Sequence, residues 1–200
     1  IQTAENVQGY NVLHLTALYD LCSRTYVDGI IQPKKNEHEK AALWTMADRY
    51  QGSEKTIFIA DRGFENYNTF AHIEKHGMYY LIRAKDINSN GITSTHDFSS
   101  TPSFDEWKMV TLTRKQTKEV KQNPRKYRLV MKKTSFDYLD LHDNLFYDIK
   151  MRIVRFPISE SAYECIITNL PKEIFPSEKI KELYHMRWGI ETSFRELKYA

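Results

Sequence analysis

The order of apolar runs in the first 86 residues constrains the fold more than any other feature of this sequence. NVLHLTALYDL and TYVDGIIQ are rich in leucine, β-branched and aromatic residues, and the polar CSR between them favours a tight connection. The two runs therefore predict an antiparallel pair of strands. A helix, a strand, a second helix and a further strand are predicted next, beginning near Asn36, Thr56, Asn66 and Met78. This order predicts an α/β fold with a mixed sheet.

Local signals predict where these elements begin and end. Asn36, with Glu39 three residues later, resembles a capping box at the start of the first helix. Asn66 can cap the second helix, and Gly77 stands where a helix commonly stops. Asp61 directly follows the buried run TIFIA, so it is expected at the C-terminal end of a strand.

The character of the sequence changes after Asp86. The following residues are first polar and turn-rich, and then alternate basic, polar and apolar residues without a helical period, which predicts a β-rich insertion. YECIITNLP predicts one more buried strand, and one long helix is predicted from about Ser177 to the end of the chain. The predicted organisation is a first part at 1–86, a β-rich insertion at 87–172 and a C-terminal helix at 173–200.

Composition excludes several classes of protein. The chain has 200 residues, of which 41% are hydrophobic, so it can bury a substantial core. No run approaches the roughly 18 apolar residues of a membrane span and no secretory leader is present, so a soluble, cytoplasmic protein is predicted. Cys22 and Cys165 form no metal-binding pair, and the seven histidines lack zinc-ligand spacing. Structural zinc and a disulfide framework are therefore not expected.

Positive charge is concentrated between residues 108 and 133, although the formal net charge of the chain is only +3. We call these residues the basic segment; Glu119 is its one acidic residue. Such a segment can neutralise phosphates and release their counterions, which makes nucleic acid a natural partner. A solvated surface face is the alternative interpretation. The residues of this segment that are predicted to contact DNA are Lys115, Lys118, Arg125 and Lys126.

The C-terminal stretch YHMRWGIETSFRELK carries a polar stripe beside an apolar face. On one continuous helix, the stripe falls within about a sixth of the circumference. It consists of Tyr184, Arg187, Glu191 and Lys198. The adjoining face is expected to pack on the core, and it carries Leu183, Met186, Ile190, Phe194 and Leu197. The stripe would then border the buried face.

Asp61 and Glu191 are the candidates for metal-dependent chemistry. Open α/β sheets place their ligands at the C-terminal ends of strands, which is the expected position of Asp61. Two-metal phosphoryl transfer needs carboxylates from different elements to meet at one point. Each residue also has an ordinary interpretation. Asp61 could only cap a turn, and Glu191 could be a surface residue paired with Arg187 or Arg195.

The spacing Y-x2-R-x3-E-x6-K resembles the signature helix of a large group of bacterial insertion-sequence transposases with a DDE active site. ADRGF, TNLPKE, RWGIETSFRELK and GYNVLHLTALYDL also resemble the corresponding blocks of those proteins, in the same order. The resemblance therefore extends over nearly the whole chain. It implies a ribonuclease H-like mixed sheet with flanking helices, in which a β-rich insertion precedes the C-terminal catalytic helix.

The resemblance also implies roles for individual residues. Asp61 would be the second aspartate of the triad and Glu191 its glutamate, and both would bind Mg²⁺ or Mn²⁺. Tyr184, Arg187 and Lys198 would hold the phosphate backbone of DNA. The parent protein would cut the ends of its element and join them to target DNA, as a homodimer on DNA associated with the bacterial nucleoid.

The first aspartate of the triad is expected outside this sequence. In the family it lies on a strand upstream of the block that GYNVLHLTALYDL resembles, so the chain alone is expected to be inactive. Asp20 and Asp28 are nearby substitutes, although a strand aspartate more commonly faces solvent or a turn. Trp107 could hold a flipped base, with packing as the simpler role, and Trp188 is expected to pack beside the stripe.

Two other functions remain open on the sequence. The chain could be a non-catalytic DNA-binding remnant of a decayed transposase, or a ribonuclease H-like nuclease without strand transfer. The presence of both Asp61 and Glu191 argues against decay, and the basic and aromatic companions of Glu191 argue against a simple nuclease. An aspartate that ends a strand in the preceding segment of the parent gene would favour the enzyme over the remnant.

Overall fold

The computed structural model describes residues 12–52, 55–140, 142 and 145–199, with the side chains at 198 and 199 outside that description. Eight strands and five α-helices lie within these residues. In chain order they are β1 Leu13–Asp20, β2 Thr25–Pro33, α1 Glu39–Arg49, β3 Ile57–Ala60, α2 Tyr67–Lys75, β4 Tyr79–Ala84, β5 Phe104–Thr113, α3 Lys118–Gln122, β6 Tyr127–Leu129, β7 Phe146–Pro157, β8 Tyr163–Thr168, α4 Ser177–His185 and α5 Trp188–Tyr199.

The first two strands form the antiparallel hairpin that the sequence predicts. Asp20 closes its turn, because its carboxylate accepts hydrogen bonds from the Cys22 N–H and the Ser23 hydroxyl at 2.8 and 2.7 Å. Arg24 completes the reversal with a φ of 57°, in the left-handed region. Asp20 therefore has a structural use at this turn.

The other strands form one six-stranded sheet in the order β3-β4-β8-β7-β5-β6. The pairs β3–β4 and β5–β6 are parallel, and the three pairs between them are antiparallel. The strands that follow Asp86 therefore continue the sheet begun by β3 and β4. The predicted fold class, a mixed α/β sheet with flanking helices, is confirmed and is consistent with a ribonuclease H-like fold.

The two faces of the sheet carry different helices. Successive side chains of a strand point to opposite faces, and β4 shows this directly. Tyr80 and Ile82 belong to the core that also contains residues of α1 and α2, whereas Leu81 belongs to a second core with Ile180 and Tyr184 of α4. The sheet is thus buried on both sides, as the apolar runs of β4 and β8 require.

Two of the three predicted helix boundaries are confirmed. The Asn66 side chain caps α2 by accepting a hydrogen bond from the Asn68 N–H at 2.8 Å, and Gly77 follows α2 with a φ of 70°. The prediction that Asn36 caps α1 is wrong. A short 3-10 turn ends at Asn36, and the imidazole Nδ1 of His38 accepts the Ala41 N–H instead, at 2.9 Å.

The prediction of one long C-terminal helix is also wrong, because the helix is interrupted at Met186 and Arg187. The N–H groups of these two residues bond to carbonyls three residues earlier, on Leu183 and Tyr184, which is a tighter turn than an α-helix makes. The interruption divides the predicted apolar face as well. Met186 and Leu197 are 45% and 59% exposed and do not join the core.

The interruption arises because the two helices pack on different sheets. α4 packs Ile180 and Tyr184 on the six-stranded sheet. α5 lies against the hairpin, where the Tyr26 hydroxyl is hydrogen bonded to Ser193. Gly189 comes so close to the hairpin that a Cβ there would lie 2.7 Å from Leu21 Cδ2. Across the described residues, no helix is long and apolar enough to cross a membrane.

Candidate active site

Asp61 lies where the sequence predicts it, directly after β3 and beside the parallel strand β4. Its Oδ1 accepts the Arg62 N–H at 2.7 Å and so caps a short 3-10 turn, Arg62–Phe64. The side chain is 50% exposed. Its Oδ2 has no partner in the described part of the chain, so Asp61 can cap the turn and still offer an oxygen ligand.

Tyr184 reaches Asp61 from α4, although 123 positions separate the two residues in sequence. The phenol hydroxyl lies 3.4 Å from Asp61 Oδ1, at the long end of hydrogen-bond range. The side chain is buried, and this burial raises the pKa of Tyr184 to about 12, while the Arg187 charge opposes the shift. The hydroxyl therefore stays protonated at neutral pH and donates to the carboxylate.

Arg187 lies in the interruption between α4 and α5 and links the two helices electrostatically. Its Nη1 donates to Glu191 Oε1 at 2.5 Å, and its guanidinium lies 5.6 Å from the centre of the Tyr184 ring. Burial alone would lower the pKa of Arg187, but the hydrogen bond to Glu191 and the nearby Asp61 charge raise it. Its Nε is buried without a hydrogen-bond partner among the described residues.

Glu191 is therefore held as an ion-pair partner in this structure. Its side chain is 39% exposed, and its Oε1 belongs to the contact with Arg187, which was the ordinary interpretation of this residue. Carboxylates are suitable ligands for Mg²⁺ and Mn²⁺. However, no group of three or more possible metal ligands occurs within the described ranges. Asp61 and Glu191 fit such an ion chemically, but these residues alone do not complete its site.

The structure does not bring the basic segment to Asp61. β6 is the far edge strand, five strand positions or about 24 Å from β3. Following the paired residues from strand to strand, Ala60 of β3 lies at the same height in the sheet as Glu106 of β5. β6 pairs with β5 only from Thr111 onward, which is about 17 Å further along β5 and away from Asp61. The predicted DNA-binding residues Lys115, Lys118, Arg125 and Lys126 therefore lie at the opposite corner of the sheet.

Part of the positive charge in the basic segment takes part in contacts within the chain. Lys115 lies over the Phe146 ring at 4.9 Å, and Arg125 pairs with Asp97 at 2.8 Å. Lys126 lies over the Tyr127 ring. The Arg114 guanidinium donates to carbonyl oxygens of the segment 130–139 and so fixes that loop. Of the remaining predicted DNA-binding residues, Lys118 is exposed on α3.

Lys198, the last residue of the predicted stripe, has a side chain outside the described part of the structure. The two tryptophans are both partly exposed. Trp107 on β5 is 36% exposed and lies under the Lys150 ammonium at 4.8 Å. Trp188 is 57% exposed, and the guanidinium of Arg187, a residue of the stripe, lies 5.1 Å from the centre of its ring.

Four cations near Asp61 were missed in the sequence. Arg83 lies 3.9 Å from Asp61 Oδ1 and 3.0 Å from Glu164. An open cleft of about 640 Å³ is lined by Asp61 together with Lys40, Arg62, Arg83 and Lys85. Parallel strands end at the same edge of a sheet, so residues at the end of β4 are expected beside Asp61. The sequence could therefore have indicated two of these cations, Arg83 and Lys85.

A second, apolar cavity of about 590 Å³ lies between β1 and β3. Its lining includes consecutive residues of both chain segments, 16–22 and 56–61, and Leu183, Met186, Arg187 and Ile190 close one side. Because side chains alternate between faces, consecutive lining residues show that the cavity runs along the edges of the two strands. Within the described residues, neither edge is paired with a strand on this side.

Comparison with known protein families agrees with this geometry. The model of the transposase DDE domain matches residues 2–200. No curated protein matches the chain. The family match spans almost the entire sequence. The chain therefore belongs to the transposase DDE domain family.

Proposed function

We propose that this chain forms most of the catalytic core of an insertion-sequence transposase of the Y-x2-R-x3-E-x6-K group. It would cut the ends of its element and join them to target DNA by metal-dependent phosphoryl transfer. The observation that carries the proposal is the contact of Tyr184 with Asp61, beside the Arg187–Glu191 pair. Tyr184 and Asp61 come from distant parts of the sequence and meet at the end of a parallel strand, where α/β sheets place ligands.

Asp61 and Glu191 would hold Mg²⁺ or Mn²⁺. Transposase DDE domains generally use divalent metals, and these hard cations prefer carboxylate oxygens. Asp61 Oδ2 and Glu191 Oε2 have no partner among the described residues, so each carboxylate keeps an oxygen available. Bound divalent ions would activate the attacking oxygen and stabilise the leaving oxygen.

Arg187 would bind a DNA phosphate next to the reacting bond. Its Nε is buried without a partner in the described structure, and a phosphate oxygen is a suitable acceptor for that N–H. Until DNA binds, the pair with Glu191 neutralises the guanidinium and holds both side chains at the site. Tyr184 would orient Asp61, and Lys198 would contact a further phosphate.

A strand outside the described residues would supply the third carboxylate. The edges of β1 and β3 present unpaired N–H and C=O groups to the apolar cavity between them, and one added strand could pair with both. By family resemblance, the first aspartate lies on a strand upstream of the block that GYNVLHLTALYDL resembles. Asp28 is a poor substitute, because its carboxylate pairs with Arg49 at 2.7 and 2.5 Å. Asp20 is similarly engaged at the hairpin turn.

The partners of the parent protein follow from this function. The DNA at the two ends of the element and the target DNA would be its substrates, and a homodimer of the full protein would hold both ends together. The protein would act on the chromosome, in the nucleoid of a bacterial cytoplasm.

Cleavage of DNA that carries the ends of the parent element tests the proposal. The protein is extended by the segment that precedes it in its gene, and Mg²⁺ or Mn²⁺ is supplied. We expect cleavage and joining, and a loss of at least about a hundredfold in Asp61→Asn and in Glu191→Gln, because each substitution removes an anionic metal ligand. Glu160→Gln, an exposed glutamate in a surface turn, is the matched control and should cleave normally.

The same assay separates the alternatives. Wild-type activity in Asp61→Asn or Glu191→Gln would overturn the proposal. Binding without cleavage by the extended protein, at any Mg²⁺ or Mn²⁺ concentration, would indicate the non-catalytic remnant. Cleavage without strand joining would indicate a ribonuclease H-like nuclease.

A further inference from the structure

The open cleft beside Asp61 has no role in the site described so far. Asp61 lines both this cleft and the apolar cavity, so it stands at their shared wall. Arg187 lines the apolar cavity but not the cleft. The cleft therefore extends from Asp61 in the direction away from the C-terminal helices. A strand of DNA that reacts at Asp61 and contacts Arg187 on one side must leave Asp61 on the other side, where the cleft lies.

The cleft has an excess of positive charge that the protein does not neutralise. Lys40 and Arg62 have side chains without a hydrogen-bond or ion-pair partner in the described parts of the chain. Lys85 Nζ donates to the Asn90 carbonyl at 3.0 Å and has no ion-pair partner in the described parts of the chain. Arg83 is paired mainly with Glu164. The other acidic residue of the lining besides Asp61 is Glu65, and it accepts backbone N–H groups.

Glu65 also makes the cleft a preformed surface. Its two oxygens accept the Lys85 N–H at 2.9 Å and the Ile92 N–H at 2.6 Å, which ties the loop after β4 to the turn after Asp61. Gly91 fits tightly in this loop, because a Cβ there would lie 2.7 Å from Lys85 Cβ and 2.9 Å from Glu65 Oε1. The walls of the cleft are thus fixed before any ligand arrives, which lowers the entropic cost of binding.

We propose that this cleft binds the phosphodiester backbone of a DNA strand as the strand leaves Asp61 on the side away from Tyr184 and Arg187. The inference rests on the proposed function, because it assigns a path to the same DNA. Lys40 and Arg62 supply the unpaired charges, and an open cleft suits a chain of phosphates. A single free phosphate offers the same chemistry, and competition distinguishes the two.

The role of the positive charge in the cleft is tested with the double variant Lys40→Gln/Arg62→Gln, which neutralises both side chains. Affinity for a duplex of about 20 base pairs is measured in EDTA over a range of salt, and we expect a roughly tenfold loss and a shallower salt dependence, by about one to two phosphate contacts. The matched variant Lys132→Gln/Lys133→Gln removes the same charge at exposed positions of the basic segment and should lose clearly less. Neither variant removes a described contact, so both should fold.

Position is tested by cross-linking. Asn90→Cys in a Cys22→Ser background carries a photoreactive group in the cleft, and Ser159→Cys carries it in an exposed turn at a distance. Cys165 does not interfere, because burial raises the pKa of its thiol to about 12. We expect DNA cross-links from position 90 and few from position 159. Millimolar inorganic phosphate at constant ionic strength should not reduce them.

Unchanged affinity and salt dependence in Lys40→Gln/Arg62→Gln would overturn the inference while leaving the proposed function intact. Equal losses of DNA affinity in the two double variants would also overturn the inference. Cross-links that inorganic phosphate abolishes would overturn it as well. If the extended protein used in the cleavage assay bound no DNA at all, the proposed function itself would fail.

Discussion

Asp61 and Glu191 each make an ordinary structural contact and are also candidates for metal binding. One oxygen of Asp61 caps the turn after β3, and its second oxygen remains open. Glu191 pairs with Arg187 through one oxygen in the same way. A carboxylate has two oxygens and about four lone-pair positions, so one local contact does not exhaust it. The ordinary interpretation of each residue is correct, and it is compatible with metal binding.

Glu74 on α2 is expected to make the stability of the fold depend on pH. Burial raises the pKa of this carboxyl to about 7. In the unfolded chain a glutamate has a pKa of about 4.3, so the folded state binds the proton more tightly. Stability contributed by the protonated form is fully present below pH about 4.3 and is lost as pH rises through about 7.

We therefore expect Glu74→Gln to unfold at a higher temperature than the parent chain at pH 8, with little difference at pH 4. Thermal unfolding followed by circular dichroism at both pH values measures this. Glu178→Gln, in the first turn of α4, is the exposed control and should show no such pH-dependent gain. An equal shift of Glu74→Gln at both pH values would contradict the assignment.

At the scale of elements, the interruption between α4 and α5 places Arg187. A continuous helix would carry Arg187 on a straight stripe with Tyr184 and Glu191. Instead, α4 follows the six-stranded sheet and α5 follows the hairpin, and Arg187 occupies the change of direction. The position of this site thus depends on how firmly each helix is attached to its own sheet.

A buried ion pair fixes the beginning of α4. Arg152 on β7 is fully buried, and its guanidinium donates twice to the Asp105 carboxylate, at 2.7 Å each. A further N–H of Arg152 reaches the Phe175 carbonyl at 2.6 Å, and Asp105 also accepts the Ser177 hydroxyl at 2.7 Å. Burial alone would raise the pKa of Asp105, but the hydrogen bonds from Arg152 and Ser177 lower it.

We expect Arg152→Met to reduce the free energy of unfolding by about 3–5 kcal/mol, because it removes both guanidinium hydrogen bonds from the largely buried Asp105 charge and leaves it only a longer ion pair with Lys172, at 3.7 Å. Urea denaturation measures this. Arg152→Met/Asp105→Leu should recover most of the loss, since it removes both charges. Lys179→Met, which breaks an exposed pair with Glu182 on α4, should cost less than about 1 kcal/mol. A change of that small size in Arg152→Met would contradict the role of the ion pair.

At the scale of the whole molecule, the hairpin and the six-stranded sheet face each other across an apolar cavity. An added strand that pairs with both β1 and β3 would convert two sheets into one and bury the apolar lining of the cavity. The third carboxylate and the stability of the assembled core then depend on the same segment.

We expect extension of the chain by the preceding segment of the parent protein to raise its unfolding temperature. Hydrogen exchange should slow at amides of β1 and β3 that face the cavity, because they gain backbone hydrogen bonds. Amides of β6, at the other edge of the sheet, are the internal control and should exchange at an unchanged rate. Equal exchange at β1 and β3 with and without the segment would show that the cavity is not a strand site.

The sequence by itself determined the features that local forces govern. The α/β class, the hairpin, the cap at Asn66, the stop at Gly77 and the position of Asp61 follow from side-chain periodicity and from caps, which act within a few residues. The resemblance that assigned the chain to its family also rests on short blocks of sequence.

Only the tertiary structure decided what lies beside Asp61. The pairing of Leu81 with Thr168 joins parts of the chain that are far apart, and no local signal sets such a pairing. This strand order removed the basic segment to the opposite corner of the sheet and gathered Lys40, Arg62 and Arg83 at the site instead. The physical reason is that helix and strand signals are local, whereas packing between distant segments fixes which side chains meet.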